Sequence, residues 1–418
     1  MSRAGGRAVV TGLGVIAPSG IGTQEHWATV RAGQVRVRPV EGWDTTTCGV
    51  TLGGQVDGFK PEDHVDERLL VQTDRWTWMS LAASRMALAD AAYDPAEHDP
   101  YATSVALAAG SGGNEFGQRE MTGLYGRGPK AVTTYQSIAW FYAASTGQAS
   151  IWHGTKGPAS VLVSEGAGGL DSIGHARRVV RRGTPTVLAG GTEAGLSPYA
   201  LACQAVGGRL TPGTTAAEGY RPFDVRADGY APGEGGAVLV VEDAAAALER
   251  GAPQVYGEVA GYAATHDAES VTAPATDSRQ LARAMGRALA DAGVTPDDVD
   301  LVIADAAGVP ALDAVEVRAL QEVFGARTTP VPVAAPQGLV GRLSVGGSAL
   351  SAATALLSIR DGVLPAVGNL HEPVPAAGLE LVREAREGRV EVVLVNARGL
   401  GGFNSSMVLR RWVPEGTA

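Results

Sequence analysis

The chain has 418 residues, a formal net charge of −10, 45% hydrophobic and 19% charged residues, and two cysteines. That is the composition of an ordinary water-soluble globular protein with enough length for one large or two medium cores. It excludes a disulfide scaffold and fits a reducing cytoplasm. The acidic balance without a basic cluster disfavours nucleic acid and anionic membrane as partners, and the lack of an apolar run of about 18 residues excludes a membrane-spanning helix.

From the N-terminus, "MSRAGGRAVVTGLG" enters a strand almost at once, which leaves no room for a signal peptide. Strands are predicted at 7–16, 104–111, 159–165, 185–194, 235–243, 254–264, 299–307, 331–336, 390–399 and 405–412. Several are continuous apolar runs, as strands buried on both faces require. Helical spacing of apolar residues marks 77–94, 278–293 and 312–325. The alternation predicts an α/β protein with a mainly parallel sheet. A faint repeat links "SVLVSEGAGGLDSIGHARRVVRRGTPTVLAGG" to "VPVAAPQGLVGRLSVGGSALSAATALLSIRDGVLPAV". Both read strand, small-residue turn, Gly-rich helix start and a helix ending in Arg. We therefore expect two similar halves, 1–255 and 256–418, sharing a broad interface.

The stretch "LVSEGAGGLDS" (162–172) runs from a strand through a tight turn into a helix. Such a turn suits a nucleophile, because the helix dipole stabilises a developing anion. Its tip, however, is Gly166. Other chemistries find little footing. The glycines at 12, 14 and 19 miss the G-x-G-x-x-G spacing, and neither a Walker A nor a G-x-S-x-G motif is present. The seven histidines lack ligand spacing, so no metal site is expected. His175, nine residues past Gly166, points away from the tip. Cys203, in the apolar "YALACQAVGG", reads as a buried small hydrophobe, and Cys48 has no basic neighbour to activate it. Arg177, Arg178, Arg181 and Arg182 read as a solvated helix end, with an acidic carrier protein as the alternative use.

Three long stretches carry a resemblance. The opening "RAVVTGLGVIAPSGIGTQEHWATVRAG", the central "RPFDVRADGYAPGEGGAVLVVEDAAAALERG" and the tail "GLGGFNSSMVLRR" resemble the β-ketoacyl synthases of the thiolase superfamily, nearly end to end. The resemblance implies a thiolase-like αβαβα five-layer fold from two duplicated halves. Active members use a Cys and two His residues. At the matching positions this chain has Gly166, Asp305 and Arg342, with Gln337 in place of a Lys. Condensation needs a thiolate to carry the acyl chain and neutral imidazoles to stabilise the enolate left by decarboxylation. Gly166 offers no atom, Asp305 would repel an enolate, and Arg342 is a fixed cation. Opposite charges at 305 and 342 are expected to pair across the pocket.

Together with "EFGQREMTGLYGRGPKAVTTYQSIAWFYAASTGQASI" (115–151), these losses resemble the chain length factor branch, the ketosynthase β subunits of bacterial type II polyketide synthases. The resemblance implies a heterodimer with an active ketosynthase α subunit, an acyl carrier protein bearing the growing chain, a tunnel at the subunit interface, and no cofactor. It places chain-length gate positions at Asn114, Gly117, Met121 and Ile138, where the small or non-aromatic side chains imply a roomy tunnel and a long product. The branch commonly carries Gln at position 166, linked to priming decarboxylation; its absence implies that this chain does none. Pairing is expected through the strand at 159–165, whose apolar edge would be a hazard if exposed. The alternative is a divergent synthase or acyltransferase acting through Ser164 or Glu165.

Overall fold

In the computed structural model, which describes residues 6–45, 48–270 and 276–414, each of the ten apolar segments contains a strand. They are β1 (Ala8–Ala17), β2 (Thr103–Ala108), β3 (Ala159–Leu162), β4 (Thr186–Ala194) and β5 (Glu234–Asp243), followed by β6 (Gly257–His266), β7 (Leu301–Ile303), β8 (Val331–Ala334), β9 (Val392–Gly399) and β10 (Phe403–Arg410). The first five lie in the order β1-β5-β4-β2-β3, and the second five in the order β6-β10-β9-β7-β8. The two orders are identical once each label is advanced by five. β1 and β6 meet antiparallel through Val9–Glu258 and Val10–Gly257, joining the two runs into one sheet path. The opening residues 1–5 and Thr46–Thr47 lie outside the described residues.

The expectation of a mainly parallel sheet is corrected. β2 is parallel to β3 and β4, and β7 to β8 and β9, but β5 is antiparallel to both β1 and β4, and β10 to both β6 and β9. The reason is that an apolar run reports burial on both faces and not the direction of its neighbours. The link from β9 to β10 is a tight turn, with Gly399 facing Phe403, and a hairpin needs no crossover helix.

Of the helices, eight position the core and the site: α1 (Arg75–Asp90), α2 (Asn114–Arg127), α3 (Gln136–Ala139), α4 (Gly168–Arg181), α5 (Pro198–Ala205), α6 (Arg279–Ala292), α7 (Pro310–Phe324) and α8 (Val345–Asp361). α8 carries "VGGSALSAATALLSI", and 15 of its 17 residues are buried. A helix apolar or small all round belongs in the interior. It packs against α4, and the pair share one core with residues of β1, β4, β5, β9 and β10. α6 is instead amphipathic: Leu281, Met285, Ala288, Leu289 and Ala292 form its buried stripe, which with α7 covers the outer face of the second strand set. α1 covers the outer face of the first. The layers are therefore helix, sheet, central helix pair, sheet, helix, the five-layer thiolase-like arrangement. Among the described residues no helix is long and apolar enough to cross a membrane.

Two side-chain expectations change. Cys203 is exposed, because α5 is a surface helix that turns Ala200 and Leu201 inward. Two residues past Leu201, at about 100° per residue, the side chain faces outward. Arg177 is buried, not solvated: it pairs with Asp291 at 2.6 Å and donates to the Ala260 carbonyl at 2.6 Å. Only Arg178, Arg181 and Arg182 of that group are exposed.

Candidate functional site

β3 ends at Leu162, one 3-10 turn covers Glu165–Ala167, and α4 starts at Gly168. Within that turn Glu165 adopts φ 48°, a left-handed conformation that costs a residue with a side chain about 1–3 kcal/mol. Its carboxylate is held from the other half: Oε2 accepts the Leu400 N–H at 2.7 Å, and Oε1 accepts the Ser344 hydroxyl at 3.3 Å. Ser344, just ahead of α8, is itself at φ 49° and ψ −129°. Two strained residues thus fix the facing ends of the two central helices.

Gly166 is buried at the tip. A Cβ there would stand 2.5 Å from the Arg398 carbonyl oxygen and 3.3 Å from Nη2 of Arg342. The loop after β7 brings Asp305, and the turn ahead of α8 brings Arg342. Nη2 of Arg342 lies 3.2 Å from Oδ1 of Asp305 and Nη1 lies 3.3 Å from Oδ2, a two-point ion pair. Nη2 also donates to the Arg398 carbonyl at 2.9 Å, and the Arg398 N–H donates back to Asp305 at 2.9 Å. The Tyr230 ring centroid lies 5.9 Å from the guanidinium carbon. Burial opposes charge on Arg342, but the Asp305 carboxylate, with Tyr220, Glu165 and Tyr230, outweighs it and holds the guanidinium charged well above its ordinary range.

The Asp305 loop is braced from α7. Glu316 accepts the N–H groups of Asp305 and Ala306, both at 2.8 Å, and Asp313 accepts those of Gly308 and Phe223, both at 3.0 Å. Burial pushes both carboxyls up to about 7, for Glu316 with the Asp305 charge adding. Gln337 donates its amide to the Ala304 carbonyl at 3.0 Å and to the Ser351 hydroxyl at 2.8 Å, so it ties the end of β7 to α8. What remains between Gly166, Asp305, Gln337, Arg342, Ser344 and Ser348 is a cavity of about 20 Å³, room for one water. Gly166, Asp305 and Arg342 are thus brought together. The three supply a fixed cation and a carboxylate beside the Arg398 backbone carbonyl, and neither a thiol nor an imidazole. Among the described residues no group of three or more His, Cys, Asp and Glu is placed to hold a metal ion.

Ser164 is buried and donates its hydroxyl to Asp171, whose other oxygen accepts from Tyr262 at 2.7 Å and from Ser405. The hydrogen bonds of the histidine ring nitrogens among the described residues go to Ser19, Thr354, Arg85, Ser84, Ala268 and Asn369, none to Ser164. Ser164 therefore has no histidine partner, its hydroxyl being committed to the Asp171 carboxylate, and the Glu165 carboxylate is engaged by Leu400 and Ser344.

Of the four positions expected to act as gates, Asn114 and Gly117 are buried on α2, Met121 is half-buried on the same helix, and Ile138 on α3 is 36% exposed. The room expected at Gly117 is already occupied: a Cβ there would stand 2.5 Å from Cζ3 of Trp140. Sequence reasoning missed Trp140, Ser344 and Arg398. Arg398 acts at the site through its backbone N–H and carbonyl, which leave no mark on residue type.

The family model for the β-ketoacyl synthase N-terminal domain matches residues 6–247, and that for the C-terminal domain matches 256–371. The tetracenomycin polyketide synthase ketoacyl synthase beta subunit of Streptomyces glaucescens is 52% identical over 405 residues, 96% of this chain and 98% of that relative. Among solved structures, the ishigamide ketosynthase/chain length factor aligns with a TM-score of 0.92 at 29% identity, covering 98% of this chain and 100% of that one. A type II polyketide synthase acyl-carrier protein in complex with its ketosynthase bound to the hexaketide aligns with a TM-score of 0.88 at 25% identity, covering 97% and 100%. With both domain models matched in order and a relative identical at half its positions over nearly the whole length, the chain belongs to the β-ketoacyl synthase family.

Proposed function

We propose that this chain is the chain length factor, or ketosynthase β subunit, of a bacterial type II polyketide synthase. It pairs with a condensing ketosynthase α subunit, carries no acyl group itself, and shapes the tunnel into which the carrier-protein-bound poly-β-ketone grows. The observation that carries the reading is the closed centre at the head of α4. The Arg398 carbonyl lies 2.5 Å from where a side chain at 166 would begin, and the Arg342–Asp305 pair fills the space where an acyl chain and an enolate would meet. Arg342 cannot become a neutral donor, and the Asp305 carboxylate presents negative charge to an enolate. The names of the relatives, a ketoacyl synthase beta subunit and a ketosynthase/chain length factor, support the same role. With no side chain at 166 and one water's space beside it, the chain performs no priming decarboxylation.

The partner is supported by the edge of the sheet. Among the described residues β3 ends the strand order with one side unpaired. Beside it Val163 is 51% exposed, and in the segment between α3 and β3, which includes the helix Ala144–Trp152, Phe141 is 60% and Ile151 74% exposed. An apolar sheet edge of this kind calls for another chain. A second copy of this chain would bring a second closed centre, whereas a condensing ketosynthase brings the thiol. We place the division between the two halves at 255/256, just ahead of β6. The test is co-expression with the cognate ketosynthase and carrier protein, followed by mass measurement of the released polyketide. Met121→Phe and Ile138→Phe should each shorten the product; full-length product from both variants would contradict the gating role.

A further inference from the structure

We propose that Trp140, delivered from the end of α3, is the side chain that closes the tunnel on this subunit, and that Gly117 is the socket that receives it. The proposal rests on the chain-length reading above and names the residue that sets the limit.

Three glycines on and just ahead of α2 face α3. A Cβ at Gly113 would run into the Ala139 carbonyl, and one at Gly112, where φ is 73°, would stand 2.5 Å from the Trp140 carbonyl. The end of α3 therefore lies directly on the head of α2, closer than any side chain allows. That contact carries the Trp140 indole onto Gly117. A Cβ at Gly117 would stand 2.5 Å from Cζ3 and 2.8 Å from Cε3, well inside the ~3.5–4.0 Å at which carbons pack. Ring and side chain cannot share the place. On its other side the indole meets Tyr199 of α5, with ring centroids 6.0 Å apart and planes inclined at 52°, within the range of favourable aromatic pairs. The Tyr199 N–H donates to the Gln118 side chain at 2.9 Å, which fixes α5 against α2. The indole is thus wedged among three helices.

The indole is not closed into the core. Trp76, a core residue of α1, is fully buried, whereas Trp140 is half-buried. Its neighbours Ile138, Phe141 and Tyr142 are 36%, 60% and 45% exposed. Part of Trp140 is therefore open to solvent, next in the chain to apolar side chains that are also left uncovered. Met121 lies four residues beyond Gly117, on the same face of α2. A growing acyl chain that passes Met121 would meet the indole, rigid and too large to swing past Gly117. The glycine, which taken by itself promises a longer tunnel, instead admits an aromatic wall from a different element.

The experiment uses the complex with its ketosynthase and carrier protein, reading product mass separately from turnover. Trp140→Ala should give a product longer by one or more ketide units, and Trp140→Ala combined with Gly117→Phe should shorten it again, because the second ring refills the notch from α2. If the alanine variant assembles poorly, Trp140→Leu keeps the wedge apolar and should still lengthen the product. Parental product length from an active Trp140→Ala or Trp140→Leu complex overturns the proposal. If Met121→Phe shortens the product while the Trp140 variants leave it unchanged, this inference fails and the chain-length reading stands; if none of them alters length, both fail.

Discussion

Replacing Asp305 by alanine removes one side of an ion pair with little access to water: the side chains of Asp305 and Arg342 are 8% and 15% exposed. The guanidinium would keep the Arg398 carbonyl at 2.9 Å and the face of Tyr230, but lose its two-point contact, and the Arg398 N–H would lose its acceptor. Removing one partner of a buried pair costs about 3–5 kcal/mol, because the other charge stays buried and uncompensated. The distances of 3.2 and 3.3 Å exceed the ~2.7–2.9 Å of the best charge-assisted bonds. That puts the expected loss at the low end, about 3 kcal/mol. At ~2–4 °C per kcal/mol for a large domain, the melting point should fall by roughly 6–12 °C. The assay is thermal unfolding of parent and variant at neutral pH, with Asp305→Ala/Arg342→Leu as the third arm. The double variant should recover most of the loss, since an apolar replacement of a buried pair is close to neutral. An Asp305→Ala protein that melts with the parent would refute the claim that the pair holds the centre closed.

Three further outcomes are expected. Gly166→Cys should lower the melting point by an overpacking cost of about 1–3 kcal/mol, because its Cβ meets the Arg398 carbonyl; the isolated variant should still not condense malonyl units, and condensation by it would contradict the account. Burial pushes His26 down to about 4, with Ser19 at 2.7 Å and Thr354 at 3.0 Å. Its folded value lies below the unfolded one near 6.5, so its contribution is present above about pH 6.5 and is lost as pH falls towards 4, up to about 3 kcal/mol. The urea midpoint of His26→Gln should therefore fall less steeply than the parent's between about pH 7 and about pH 4.5, and parallel curves would count against it. Ser164→Ala should cost about 1 kcal/mol through the lost hydrogen bond to Asp171, with polyketide yield unchanged; a folded variant that abolishes product would restore Ser164 as a reactive group.

Much of the architecture was legible because burial on both faces writes itself into sequence. The apolar runs that became β4, β5 and β9 and the small-residue helix α8 could be read directly. The duplicated order could be suspected from the echo between the segments that became β3–α4 and β8–α8. Strand direction could not, because β5 and β10 are as apolar as their parallel neighbours. Gly166, Asp305 and Arg342 were found by resemblance, at points far apart in sequence that the fold brings to one cavity. The backbone of Arg398 could not be found that way, since any residue supplies a carbonyl. Gly117 shows the commonest trap: a missing side chain means space only if nothing else moves in, and Trp140 does. Cys203 misled for a related reason, because an apolar helix on the surface reads like one in the core until its neighbours are known.

The most direct test of the central claim is malonyl condensation measured in three preparations: the chain alone, the chain with its ketosynthase, and the chain with a ketosynthase whose active-site cysteine is replaced by alanine. The account predicts polyketide from the second alone. Condensation by the first or the third would show that this chain has a reactive centre of its own.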